Sequence, residues 1–396
     1  MKKRFLYHDL IKYLDHKNAL VITGMRQVGK TTLMKQIFNE VHFPKLWFDF
    51  DNPLDMLHFE NIDYDAIYNG LLKESSLKKE RLFIFIDEIQ NLPEITKIIK
   101  FLIDKYKVKF IVTGSSNYYL KNLFPESLSG RKFLFILPPM SFKEYLFFKD
   151  KINEDEASGI ENNIGNVSID LSLLEFKKYE QEYKEFMVYG GFPEVVTTEN
   201  ILTKKEVLRN IFASFFEKDI RLLSDIKDIR ELRDLILLLV PRTGNMLDLT
   251  KLSSELGVNR VKLYDYLEFL QGVFFIKLIP KFSGSVDRSV AGGKKVYFSD
   301  NGLLNIIGNV NDGQLFENTI ANQLSAYGEL SFYNKRNTAE IDFIINKEVA
   351  FEVKLNAVES DLTRLESICN RIGISKSFLI SLNFSKAART IYPISL

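Results

Sequence analysis

The stretch ALVITGMRQVGKTTL (residues 19–33) runs from a short apolar segment through a glycine-rich turn into a helical pattern. Its spacing, Gly24-x-x-x-x-Gly29-Lys30-Thr31, is that of a phosphate-binding loop. It also stands where that motif must stand, after a strand and at the start of a helix. Glycines let backbone N–H groups close around an anion, and the helix N-terminus adds a favourable dipole. In such a loop Lys30 reaches the β- and γ-phosphates and Thr31 binds Mg²⁺. Gly24, Gln27, Val28, Gly29, Lys30, Thr31 and Thr32 are therefore candidate contacts for Mg²⁺-ATP.

Working outward, LFIFIDEIQ (82–90) ends an apolar run on Asp87 and Glu88. Two acids after a strand are ordinarily a solvated turn. In a sheet that carries a phosphate loop, the carboxyl ends of strands are where ligands bind. Asp87 is then a candidate Mg²⁺ ligand, directly or through water, and Glu88 a candidate for orienting and polarising the attacking water. TGSSN (113–117) ends another apolar run. Ser115 and Asn117 are candidates to touch the γ-phosphate or the water, set against plain turn chemistry. Arg131, in LSGRKF, is either a surface arginine or a group that reaches a neighbouring subunit's γ-phosphate.

The runs KLWFDF (45–50), RLFIFID (81–87), KFIVTG (109–114) and KFLFILP (132–138) are further strand candidates. Continuous apolar strands alternating with helical segments predict a buried, mostly parallel sheet and an α/β architecture. A length of 396 residues with 46% hydrophobic and 27% charged residues predicts more than one globular core. Net charge is only +1, so nucleic-acid binding would need a local patch. One cysteine, Cys369, excludes an intramolecular disulfide and a cysteine-rich zinc site. His8, His16, His42 and His58 lack ligand-like spacing. No apolar run reaches the ~20 residues that cross a bilayer, and the basic start lacks an apolar signal core, so a cytoplasmic protein away from membranes is expected.

Beyond the sheet, residues 151–170 are polar and loop-like, and 171–240 are helical except at YGGFPEVV (189–196). Between 228 and 300 come a helix, a short helix ended by Gly257, a third helix capped by Asn259, and two strands around a Gly/Ser/Lys-rich loop. That is the winged helix-turn-helix pattern. Its third helix mixes Arg260 and Lys262 with Asp265 and Glu268. Its loop region carries Lys281, Arg288, Lys294 and Lys295 against Asp287, a basic wing that could contact phosphates. Winged helices also serve as protein-binding modules, and both readings stand. A helix at 315–327 and strands near 330–334, 339–345, 349–355 and 377–382 predict a smaller α/β domain. The expected division is a phosphate-loop core (1–150), an insert and helical lid (151–227), the winged block (228–307) and the C-terminal domain (308–396).

Together GMRQVGKTTL, IDEIQ, TGSSN, SLSGR, LPPMSFKEYL, GGFPEVV, the helix-turn-helix block and EIDFII with FEVK resemble one family along nearly the whole chain. It is the AAA+ type ATPases of bacteria and archaea with a C-terminal, restriction-endonuclease-like domain of unassigned function. The resemblance implies an additional-strand sheet, a helical lid, and homo-oligomerisation with an arginine acting between subunits. In the C-terminal domain Glu317 falls on a helix, Asp342 on a strand, and Glu352 and Lys354 on the next strand, two apart and so on one side. This set is similar to the PD-(D/E)xK nuclease core. There Glu317, Asp342 and Glu352 would hold Mg²⁺ and Lys354 would position water. The same residues can instead be a surface ion-pair face, or a fold retained for binding alone. Two functions follow: an ATPase coupled to a DNA-binding and candidate DNA-cleaving half, or a nucleotide-dependent switch whose C-terminal domains bind protein.

Overall fold

A computed structural model describes residues 2–75, 80–114, 130–158, 164, 171–219, 229–283, 292–335 and 338–396. The chain forms two compact units. One comprises residues 1–138 with Gly272–Phe274, and the other residues 139–271 with 275–396.

The first unit is built on five parallel strands, β1 (Ala19–Thr23), β2 (Lys45–Asp49), β3 (Phe83–Asp87), β4 (Lys109–Gly114) and β5 (Lys132–Ile136). Their order is β2-β3-β4-β1-β5, so β4 lies between β1 and β3. This is the buried parallel sheet that the continuous apolar runs predict, with every residue of β1, β3 and β4 buried. The helix Ile95–Tyr106 buries Ile95, Ile98, Ile99, Leu102 and Ile103. That spacing is one helical face, and it packs with Ile84, Ile86, Phe110 and Val112 of the sheet. Lys109, fully buried, donates to the carbonyls of Tyr13, His16 and Asn18 and so ties the start of β4 to the segment that leads into β1.

The second unit begins earlier than residue 150, for a local reason. Met140 N donates to Gly191 O at 2.7 Å. The helix Phe142–Phe148, opened by a Ser141/Glu144 capping box, packs Phe142 on Tyr183 and Phe186. Residues 139–150 therefore belong with the helices that follow them. GGFPEVV serves the same unit: Gly190 has φ +74°, and a Cβ there would lie 2.3 Å from the Asp300 carboxylate.

Helices Ile229–Leu239, Leu249–Leu256 and Arg260–Gly272 precede the antiparallel pair β6 (Ile276–Pro280) and β7 (Lys294–Phe298). The short helix ends on left-handed Gly257, and Asn259 accepts from Lys262 N at 2.9 Å, as the sequence predicts. The last sheet has the order β12-β11-β10-β9-β8, with β8 (Leu330–Lys335), β9 (Ala339–Ile345), β10 (Val349–Lys354), β11 (Lys376–Ser381) and β12 (Thr390–Ile391). β8, β9 and β10 run antiparallel, whereas β11 joins β10 in parallel. The helix Glu359–Ile372 covers this sheet through Leu362, Leu365 and Ile368. The hairpin belongs to the same unit as this sheet: just past β6, Phe282 N donates to Phe332 O of β8 at 2.6 Å, and Phe298 N of β7 donates to Asn318 Oδ1 of the helix Asp312–Leu324 at 2.7 Å.

Candidate functional site

The glycine-rich loop leaves the carboxyl end of β1, flanked by β4 and β5. Gly24 has φ +145°, and a Cβ there would meet Leu137 O at 2.2 Å, so the turn admits only glycine. Gln27 and Gly29 also take positive φ. The helix Lys30–Glu40 starts on Gly29 without a side-chain cap. Helices beginning after Ser141, Asp248 and Asn311 are capped by those side chains. A helix N-terminus opened by a glycine turn, with no capping side chain, is the arrangement that suits an anion. Lys30, buried, donates to Gly24 O at 3.0 Å and Met25 O at 2.9 Å, which arches its ammonium over the loop. Val28 is buried, Thr31 half-buried, and Gln27 and Thr32 exposed.

The strand order dictates the other half. Ile86 pairs with Val112 and Thr23 with Gly114, so Thr113 stands beside both Asp87 and the loop edge. Its hydroxyl donates to Asp87 Oδ1 and accepts from Glu88 N at 3.1 Å. Burial pushes the Asp87 carboxyl up, and hydrogen bonds from Thr113 and Thr31 counter that push. The Thr31 hydroxyl and Asp87 carboxylate are therefore neighbours, a donor pair of the hard-oxygen type that Mg²⁺ takes. Glu88 has φ +53° and accepts from Gln90 Nε2. The residues present fit Mg²⁺-ATP.

Arg131 is not brought to this edge. It precedes β5, its carbonyl accepts from Ala19 N at 2.8 Å, and its guanidinium pairs with Asp104 at 2.7 Å. That is the amino end of the sheet, one strand length from the loop. Ser115 and Asn117 lie outside the described residues. Two contributors escaped sequence reading. One is Thr113. The other is Arg4, buried, which donates to Val28 O and Pro138 O at 2.8 Å each and braces the loop from behind.

In the second unit β9, β10 and the helix Glu359–Ile372 line an open cleft of about 690 Å³ that includes Glu340, Asp342, Glu352, Lys354, Arg364 and Arg371. Glu352 Oε1 accepts from Lys354 Nζ at 2.8 Å and from Arg364. Asp342 Oδ2 accepts from Val353 N at 2.8 Å. Lys295 corrects its assignment to a basic wing: it is 3% exposed. Its Nζ lies 2.9 Å from Glu340 Oε1, 3.5 Å from Glu317 Oε1 and 3.8 Å from Asp342 Oδ1. Burial opposes its charge, but those three carboxylates hold its pKa above the ordinary lysine value. Tyr297 also donates to Glu317, at 2.6 Å. Burial first, then the Asp342 charge, push Glu317 and Glu352 upward. Lys354 has its proton held by Glu352 and Asp342 against burial. Of the three acids expected to hold Mg²⁺, Glu317 and Asp342 thus face Lys295, and Glu352 faces Lys354 and Arg364. Among the described residues no three acids are placed to hold a metal ion. Arg288 lies outside the described residues.

Residues 16–146 match a family described as an AAA domain. Residues 180–314 and 312–395 match two families described as domains of unknown function (DUF8612 and DUF4143). The AAA match covers the phosphate loop, Asp87 and Glu88, and together with their geometry it supports an ATPase of the P-loop class. Among curated proteins, the chain is 29% identical to "Uncharacterized protein MJ1544" of Methanocaldococcus jannaschii, covering 92% of this chain and 82% of that one. It is 28% identical to an "Uncharacterized protein" of Haemophilus influenzae, covering 89% and 87%. Among solved structures, the Walker-type ATPase PABY2304 of Pyrococcus abyssi has a TM-score of 0.44 at 15% identity, covering 77% of this chain and 97% of that one.

Proposed function

We propose that the chain hydrolyses ATP with Mg²⁺ at the loop after β1 and couples that cycle to a C-terminal half that binds DNA. The observation that carries the ATPase reading is the meeting of Lys30, Thr31, Asp87 and Glu88 at the carboxyl edge of one parallel sheet, with Thr113 between them. In this reading Lys30 holds the β- and γ-phosphates, the uncapped helix N-terminus takes phosphate oxygens, and Glu88 orients the water. Thr31 and Asp87 would hold Mg²⁺, which when bound neutralises charge on the phosphates. Gly24 and Gln27 to Thr32 would form the cradle, and Ser115 remains a candidate from the sequence alone. Arg131 would serve a neighbouring copy.

The DNA reading draws on the order of three helices and a hairpin, which supports a winged helix-turn-helix, and on the cleft that presents Lys354, Arg364 and Arg371. One observation favours the protein-partner alternative. The third helix exposes Val261 (70%) and Tyr264 (56%), while Lys262 is paired with Glu231. Such a face suits an apolar partner better than phosphates.

The test is ATP turnover by the wild type and Glu88→Gln, with and without duplex and branched DNA, at two salt concentrations. The expected result is hydrolysis lost in Glu88→Gln by at least ~10²-fold, and wild-type turnover raised by DNA with affinity that falls as salt rises. Hydrolysis indifferent to DNA, with no binding at low salt, would transfer the C-terminal half to the protein-partner reading. Turnover unchanged in Glu88→Gln would overturn the assignment of the water-orienting residue.

A further inference from the structure

The four acids around the C-terminal cleft already have cations of their own. Lys295 reaches them from β7, outside the nuclease-like sheet, and pairs with Glu340, Glu317 and Asp342. Lys354 and Arg364 pair with Glu352. A divalent ion binds carboxylates because they lack another counter-charge and converge within oxygen-ligand distance. Here neither condition holds. Asp342 spends one oxygen on Val353 N and turns the other toward Lys295. Glu317 shares a single oxygen between Tyr297 and Lys295. A buried ammonium within 4 Å of three carboxylates also repels any second cation, and in a low-dielectric setting that repulsion is strong.

We infer that Lys295 is a tethered cation that takes the place of a divalent metal ion in this nuclease-like half, and that the cleft consequently excludes divalent metal. β7 orients the lysine by alternation: Lys294 and Lys295 point to opposite faces, and only Lys295 is buried. The hairpin that resembles a wing thus also completes the charge balance of the adjacent cleft. The inference concerns metal exclusion only, so it stands or falls separately from the ATP and DNA readings.

The test needs neither nucleotide nor DNA. Full-length chain carrying Asp87→Asn, which silences the metal position of the phosphate loop, is titrated with Mn²⁺ and followed by the electron paramagnetic resonance signal of free Mn²⁺. Saturable binding is expected to be absent in this background. It should appear on adding Lys295→Met, as saturable binding at least about ten-fold tighter than any residual, non-saturating uptake of Mn²⁺ by the Asp87→Asn protein, equivalent to ~1.4 kcal/mol. It should vanish again when Asp342→Asn is added. Lys295→Arg, which keeps the charge, should gain no site. Should Lys295→Met not fold, Lys295→Gln carries the same test, because its amide removes the charge while keeping a polar group at this buried position. Saturable Mn²⁺ binding with Lys295 in place that is lost in Asp342→Asn would overturn the inference. So would a folded Lys295→Met or Lys295→Gln protein that gains no site.

Discussion

Thr113 links the two acids of the candidate site. Its hydroxyl holds Asp87 and the Glu88 amide together. A hydrogen bond to a charged group is worth about 1.5–3 kcal/mol. Thr113→Val should therefore lower ATP turnover at limiting Mg²⁺ by about ten-fold or more, while Thr113→Ser restores most of it. Initial rates across a Mg²⁺ titration would show this, and equal rates for the Val and Ser variants would dismiss the role. The sequence did not single out Thr113, because a β-branched residue inside a fully buried strand reads as filler. Lys30, Asp87 and Glu88 were legible because motif and chemistry coincide within a few residues. Lys295 was not. Its neighbour Lys294 is chemically identical, and the acids that claim Lys295 lie at positions 317, 340 and 342, which only folding brings together.

At the scale of elements, the parallel sheet was readable because strands buried on both faces must be apolar throughout. The joints between helices were not, since they rest on single buried polar groups. Asp300 is one such joint. It accepts from Gly191 N at 2.8 Å and Leu303 N at 3.0 Å, so it ties the turn of GGFPEVV to the helix Asn301–Ile307. Burial pushes its carboxyl up to about 6, against the three backbone N–H groups that favour the anion. A carboxyl whose folded pKa is raised contributes most below its unfolded value near 3.8 and loses that contribution as pH rises through about 6. The difference is about two units, or ~3 kcal/mol. Urea unfolding of the wild type and Asp300→Asn between pH 4 and pH 7 should show the wild type losing about that much stability relative to the variant. A stability difference that stays flat across this window would mean that Asp300 is not shifted.

At the scale of the whole molecule, the position of Arg131 makes a statement about copy number. β5 runs parallel to β1, with Lys132 opposite Ala19 and Ile136 opposite Thr23. Five strand residues at ~3.3 Å each put Arg131 about 16 Å from the start of the phosphate loop, beyond the span of its side chain. Arg131 therefore cannot stabilise charge at its own chain's site. If it acts in catalysis, it acts on a second copy, and its pairing with Asp104 must open for it to do so. Turnover per chain should then rise with protein concentration. Arg131→Ala should lower it by about 10³-fold, the low end of what an arginine supplied in trans contributes. The decisive experiment mixes two inactive variants. Arg131→Ala retains an intact phosphate site, and Glu88→Gln retains an intact arginine. In mixed assemblies the first chain's site meets the second chain's Arg131, so the mixture should hydrolyse ATP faster than either variant alone. A turnover per chain independent of dilution, together with an Arg131→Ala protein as active as the wild type, would reduce Arg131 to the surface partner of Asp104.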